Sequence, residues 1–319
     1  MGHKNKVCLK MQAKAKFDSI QCFGRSKHED KLAAAEAWEK SDKSISKRDY
    51  INGEIRDKIY SVSTYETYAK HNSYFIKWVE DNKPKGEIKT LEDIKRFVPE
   101  WLESRIDAGL SAYTIATEAA GLAKLYGCDY RDFCVDLPSR NREDIFRSRE
   151  WGCKKEYFSE ERNAEIVNFC RGTGLRRAEL EKLTPEALIR REDGDYLRIR
   201  GKGGRWRDAP IIGEKDAIIN RIESTEKGCR VWDHVPEHMD VHSYRAEYAT
   251  SIYLMNARDL KDIPYDYYNI GIGQWVQSGV YHCRGDRAGE KFDREAMKIA
   301  SNALGHNRVN ILAENYLRL

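Results

Sequence analysis

The stretch Asn302-Ala303-Leu304-Gly305-His306, running on through Asn307 to Tyr316 and Leu319, decides how the rest of this chain is read. Alone it is an apolar helical segment with a histidine at its start and a tyrosine on it. Three earlier stretches change its meaning. They are Gly172-Thr173-Gly174-Leu175-Arg176-Arg177-Ala178-Glu179-Leu180, the glycine turn Gly201-Lys202-Gly203-Gly204, and His242-Ser243-Tyr244-Arg245. In chain order they supply arginine, lysine, histidine and arginine ahead of His306 and Tyr316. Such a set suits metal-free attack on a phosphodiester.

The 319 residues suggest two domains, with an extension. An apolar fraction of 40% supports real cores, and 34% charged residues with a net charge of only +4 fit either a well-solvated protein or a DNA binder with a local basic face. No apolar run of about 18 residues exists, so no membrane span is expected. The start lacks a signal-peptide core, and the 8 cysteines are scattered, which predicts reduced thiols and a cytoplasmic protein. Cys229, His234, His238 and His242 fit no zinc spacing, and no metal is expected.

Residues 1–57 are lysine-rich with weak periodicity and read as a mobile or loosely docked arm; the functional alternative is a segment lying along DNA. Residues 58–136 carry four short amphipathic helices: a first behind a capping box Ser63-x-x-Glu66, a second capped by Thr90, a third with Pro99 in its first turn, and a fourth opened by Ser111 and stopped by Gly127. The helix starts at Ser111 and Thr114 offer N–H groups to phosphates, as any helix start does. Residues 137–157, with Arg140, Arg142, Arg147, Arg149, Lys154 and Lys155, read as a basic linker. Beyond it, in 158–319, come a helix capped by Ser159, the glycine loop before Arg176, and a helix from Leu175 to Leu183. Then follow a hairpin of 196–200 with 205–212, helices at about 214–224 and 243–257, an irregular aromatic and basic stretch 258–290, and a helix from Asp293 to Ala303. The fold class expected is mainly α with a small antiparallel β-sheet.

In combination, Thr173-Gly174-Leu175-Arg176 with Glu179 and Leu180, Lys202, His242-x-x-Arg245, and Leu304-Gly305-His306 followed by Tyr316 resemble the catalytic domain of the tyrosine recombinase (phage integrase) family. The four-helix block resembles that family's core-binding (SAM-like) domain. The resemblance spans 58–319 and implies an α+β catalytic domain acting on double-stranded DNA, as a homotetramer on two paired sites, with no cofactor. It places the catalytic arginine directly after Gly-Leu, hence Arg176 rather than Arg177.

The residue types suit those roles. Two guanidinium groups, Arg176 and Arg245, clamp the oxygens of a phosphodiester as they gain charge. Tyr316 is the candidate nucleophile and, with a free pKa near 10, needs a proton acceptor, for which His242 is the candidate. His306 would donate a hydrogen bond to the phosphate, Lys202 would protonate the leaving 5′-oxygen, and Glu179, one turn beyond Arg176, would orient basic neighbours. Arg177 and Arg205 are further candidates for the DNA backbone. The function implied is site-specific recombination through a 3′-phosphotyrosyl link, integrating or excising a mobile element. The alternatives are a non-catalytic DNA-binding accessory factor and a type IB topoisomerase-like enzyme. The chain departs from the family at Ala246, where another histidine is usual, in the length of 258–290, and in having only Leu317, Arg318 and Leu319 after Tyr316.

Overall fold

The computed structural model describes residues 8–84, 86, 88–141, 158–201, 204–306, 308–317 and 319. The chain divides into two compact units, Met1–Asp144 and Ile145–Leu319. It is mainly α-helical, with small antiparallel sheets in the second unit.

The first unit holds α1 (Leu9–Ser19), α2 (Lys27–Glu39), α3 (Lys47–Arg56), α4 (Val62–Asn82), α5 (Leu91–Lys95), α6 (Val98–Asp107) and α7 (Ala112–Tyr126). Side-chain caps start most of them. Thr90 forms a reciprocal box with Asp93, and Ser111 accepts from the Thr114 N–H. The cap of α4 is Ser61, not the expected Ser63, because the Ser61 hydroxyl reaches the Thr64 N–H and leaves Ser63 inside the first turn. Gly127 closes α7 in the left-handed region, at φ 65°. Phe75, Ile76 and Val79 of α4, Trp101 and Leu102 of α6, and Ile115, Ala119 and Leu122 of α7 form the core.

Leu9, Ala13, Phe17 and Ile20 lie in that same core. They recur at three- and four-residue spacing, so one face of α1 is apolar although lysines surround it. The Ile59 N–H donates to Ile20 O at 2.9 Å, and Lys124 Nζ donates to the carbonyls of Ile55 and Lys58. The lysine-rich segment expected as an arm is thus helical, and α1 is packed into the helical unit. Of the expected basic linker, 142–157 lies outside the described residues.

The second unit begins with α8 (Ala164–Thr173) and the single turn α9 (Arg177–Leu180). Ser159, expected as the cap of α8, instead holds a preceding turn by accepting from the Arg162 N–H. Strands β1 (Leu188–Arg191), β2 (Gly194–Arg200) and β3 (Trp206–Pro210) form an antiparallel sheet in that order. Arg200 pairs with Trp206 across the glycine turn, and Leu197 with Ala209. Strand β1 was not anticipated, since Leu-Ile-Arg-Arg is too short to show a period of two. Then come α10 (Lys215–Glu223) and α11 (Val241–Asn256), whose Tyr244, Tyr248 and Ile252 are buried.

The stretch 258–290, expected to be irregular, holds the hairpin of β4 (Tyr267–Asn269) with β5 (Gln274–Val276) and the first strand of another, β6 (Val280–His282), which pairs with β7 (Lys291–Asp293) just beyond it. Helices α12 (Arg294–Ala303) and α13 (Val309–Asn315) complete the unit. No described helix is long and apolar enough to cross a membrane.

Candidate active site

The loop after α8 sets the first arginine. Gly174 takes φ 59°, and a Cβ there would stand 2.2 Å from Cδ1 of the buried Tyr248 ring, so only glycine fits the turn. Leu175 is buried, and Arg176 caps α9. The Arg176 N–H donates to Glu179 Oε2 and its Nη1 to Glu179 Oε1, both at 2.8 Å.

Glu179 also receives a second, buried guanidinium. Arg207 on β3 donates Nη1 to Oε1 at 2.9 Å and Nη2 to Oε2 at 2.7 Å. Burial alone would raise the Glu179 pKa. The bonds from Arg207 and Arg176 overcome that and hold it at about 2, so it is a carboxylate.

Arg245 projects from α11 and is 1% exposed. It donates Nη1 to Gly174 O and Nη2 to Leu304 O, the latter at 2.6 Å, while its buried Nε has no partner. Burial, then the charge of Arg176, lowers its pKa to about 10, which leaves it cationic at neutral pH.

The turn after α12 delivers His306. Gly305, at φ 72°, lies against the Arg207 side chain, and the His306 N–H is tied to Ser301 O at 2.8 Å. Its Nε2 is 3.3 Å from the Tyr316 hydroxyl. Tyr316 ends α13, and its ring is nearly buried. The His242 ring meets it edge-on at 5.3 Å, the His306 ring is 5.5 Å away, and the Arg245 guanidinium carbon is 5.7 Å from its centre. Arg176, His242, Arg245 and Tyr316 line one depression of about 440 Å³. Arg176 and His306 line another of about 540 Å³, together with Arg205 and Trp206.

Five of the six expected catalytic residues, Arg176, His242, Arg245, His306 and Tyr316, therefore converge. The sixth, Lys202, lies outside the described residues. Of the residues expected on DNA, Arg205 is exposed at the rim. Arg177 donates to the carbonyls of Val235, Pro236, Glu237 and Met239, bracing the loop that leads into α11. Ser111 and Thr114 belong to the first unit, where their hydroxyls lie 3.0 Å apart at the start of α7. Sequence reasoning missed Arg207. Arg207 shares the buried face of β3 with Ala209, and an inward arginine demands a carboxylate, but which face of β3 turns inward is set only by the fold.

No protein-family model matches the chain, and no curated protein matches it. Among solved structures it is similar to the XerH site-specific recombinase bound to palindromic difH substrate in a post-cleavage complex. The identity is 15% over 96% of this chain and 90% of that one, with a TM-score of 0.49. It is also similar to residues 82–397 of the Tn1549 transposon integrase in complex with circular intermediate DNA. There the identity is 14% over 80% of this chain and 95% of that one, with a TM-score of 0.36.

Proposed function

We propose that this protein is a tyrosine-type DNA strand transferase: a site-specific recombinase that cuts and rejoins duplex DNA to integrate or excise a mobile element. The observation that carries this reading is the Tyr316 hydroxyl within hydrogen-bond distance of His306, with His242 against its ring and Arg245 facing it. A tyrosine among cations and the neutral imidazole of His306 is suited to attack an anionic ester.

Tyr316 Oη attacks phosphorus, and the Tyr–O–P bond forms as the P–O5′ bond breaks. The phenolic proton passes to an imidazole, and Lys202 protonates the departing 5′-oxygen. His306 holds the hydrogen bond to the hydroxyl, so it shares with His242 the role of proton acceptor. Arg176 and Arg245 neutralise the equatorial oxygens, and the unpartnered Nε of Arg245 is a donor suited to an anion. A hydroxyl from a partner strand then reverses the step, because the phosphoester energy is kept in the covalent link. A homotetramer on two paired DNA sites accommodates such an exchange.

The test uses nicked duplexes tiled across the DNA flanking the protein's own gene. The full chain is expected to be trapped on a cleaved strand as an adduct that survives denaturing electrophoresis. Tyr316→Phe should bind the same duplex and form none. Adduct of normal yield from that variant would sink the assignment. Binding without adduct by the unmodified chain would point to an accessory factor, and sequence-blind relaxation of supercoils to a topoisomerase.

A further inference from the structure

Arg207 belongs to neither the attacking nor the clamping group, yet each of its donors ends on something that positions them. Its two terminal nitrogens grip Glu179, which in turn holds both the backbone and the guanidinium of Arg176. Its Nε donates to Ala303 O at 3.2 Å. Ala303 is the last residue of α12 and leads directly into Leu304, whose carbonyl holds Arg245, and into the turn that delivers His306. That turn lies flat on the Arg207 stem, since a Cβ on Gly305 would stand 2.8 Å from Arg207 Cδ.

We propose that Arg207 is a positioning residue for strand transfer, fixing the Arg176 turn and the His306 turn to one frame; this rests on the reading above. A two-pronged guanidinium–carboxylate contact sets the plane of both groups, which a lysine ammonium cannot do. A buried ion pair is poor support for a purely stabilising role, because well-packed apolar side chains often replace one without loss. Here such a replacement would leave Arg176 without its carboxylate and the Ala303 carbonyl without its donor.

The experiment measures single-turnover adduct formation on the nicked duplex by the full chain, by Arg207→Lys, and by Glu179→Gln in case the first fails to fold. Rates are normalised to folded protein and followed against DNA concentration. Either variant is expected to lose about 10- to 100-fold in rate at saturating DNA, as misplaced reacting groups do. The half-saturating DNA concentration should stay within about twofold, since binding is not what is lost. A merely structural role would lower the folded fraction and leave the rate per folded molecule unchanged. Unchanged rates in a folded variant would overturn the inference alone. Absence of adduct from the unmodified chain on every duplex would overturn the strand-transfer reading and this inference with it.

Discussion

The Nε2 of His306 lies 3.3 Å from the hydroxyl of Tyr316, and the groups around that ring keep it uncharged. Burial is the largest cause, followed by the positive charges of Arg245, Arg176 and Arg207. Together they lower the His306 pKa from 6.5 to about 4. A site this cationic would hold a charged histidine poorly. It holds a neutral one, which can accept a proton from a phenol.

The pH dependence follows. His306 binds its proton near pH 4 in the folded chain and near 6.5 when unfolded, so between those values the unfolded state carries more protons and stability rises with pH. Adduct formation should therefore show no inflection from His306 between about pH 5 and 7, and should fall by one proton's worth as the pH drops through about 4. Single-turnover rates across this range check it, with unfolding followed at each pH. A rate that halves near pH 6.5, and loses that inflection in His306→Gln, would mean the ring titrates as an ordinary histidine.

The two glycines of the site should respond differently to alanine. Gly174 and Gly305 both have positive φ, at 59° and 72°. In Gly174→Ala the new Cβ meets the fully buried ring of Tyr248 at 2.2 Å, whereas in Gly305→Ala it meets the side chain of Arg207 at 2.8 Å. Backbone strain costs about 1–3 kcal/mol in each, and overpacking a ring adds about as much again at Gly174. Denaturant unfolding should rank Gly174→Ala as the less stable. Gly305→Ala should lose more strand-transfer rate than its stability change explains, because it displaces His306. Equal stability losses would show that the Tyr248 ring has room to move.

Much of the site was legible because its parts are local. Gly-Leu-Arg, His-x-x-Arg and Leu-Gly-His each carry a turn or helix start together with a candidate site side chain, and Thr90, Ser111 and Gly127 announce helix ends by their own chemistry. What stayed hidden depended on the facing of an element. Arg207 reads as a surface charge until β3 is known to turn it toward Glu179. The strands β4 to β7 have only three residues each, too few to show alternation. The face of α1 was masked by Lys10, Lys14 and Lys16, although Leu9, Ala13 and Phe17 are spaced as a helix requires.

Asp293 closes the base of the excursion between α11 and α12. Its buried carboxylate accepts from Arg258 Nε at 2.7 Å, from Arg258 Nη2 at 2.8 Å and from the Arg258 N–H at 3.0 Å, and it caps α12 through the Glu295 N–H. The Arg258 side-chain bonds, more than any other cause, hold its pKa at about 2. A depressed carboxylate stabilises the fold above its unfolded pKa of 3.8, and that contribution is lost as pH falls toward 2. Asp293→Asn should cost about 1.5–3 kcal/mol at neutral pH, the range for hydrogen bonds to a charged group. The gap between variant and parent should narrow as the pH drops below about 4, where the unfolded parent takes up a proton that the folded one, with its pKa near 2, does not yet bind. Urea unfolding at pH 7 and pH 3 decides it, and a gap that widens on acidification would contradict the assignment.

Phe17 tests whether the lysine-rich start is part of the helical unit's structure. It is 1% exposed, its ring meets Tyr65 of α4 edge-on at 5.8 Å, and Tyr65 in turn donates its hydroxyl to Asp18 at 2.6 Å. Truncation of a buried phenylalanine removes its transfer energy and leaves a cavity, together about 3–5 kcal/mol. Phe17→Ala should lower the cooperative unfolding of the helical unit by that amount. Lys10→Ala and Lys16→Ala, both outside the buried face, should each change it by less than about 0.5 kcal/mol. An arm that only rests on the surface would give the opposite pattern in one respect: Phe17→Ala would be as silent as the lysine changes. The contrast between these variants, read in one denaturant series, therefore measures whether residues 9–20 are core or appendage.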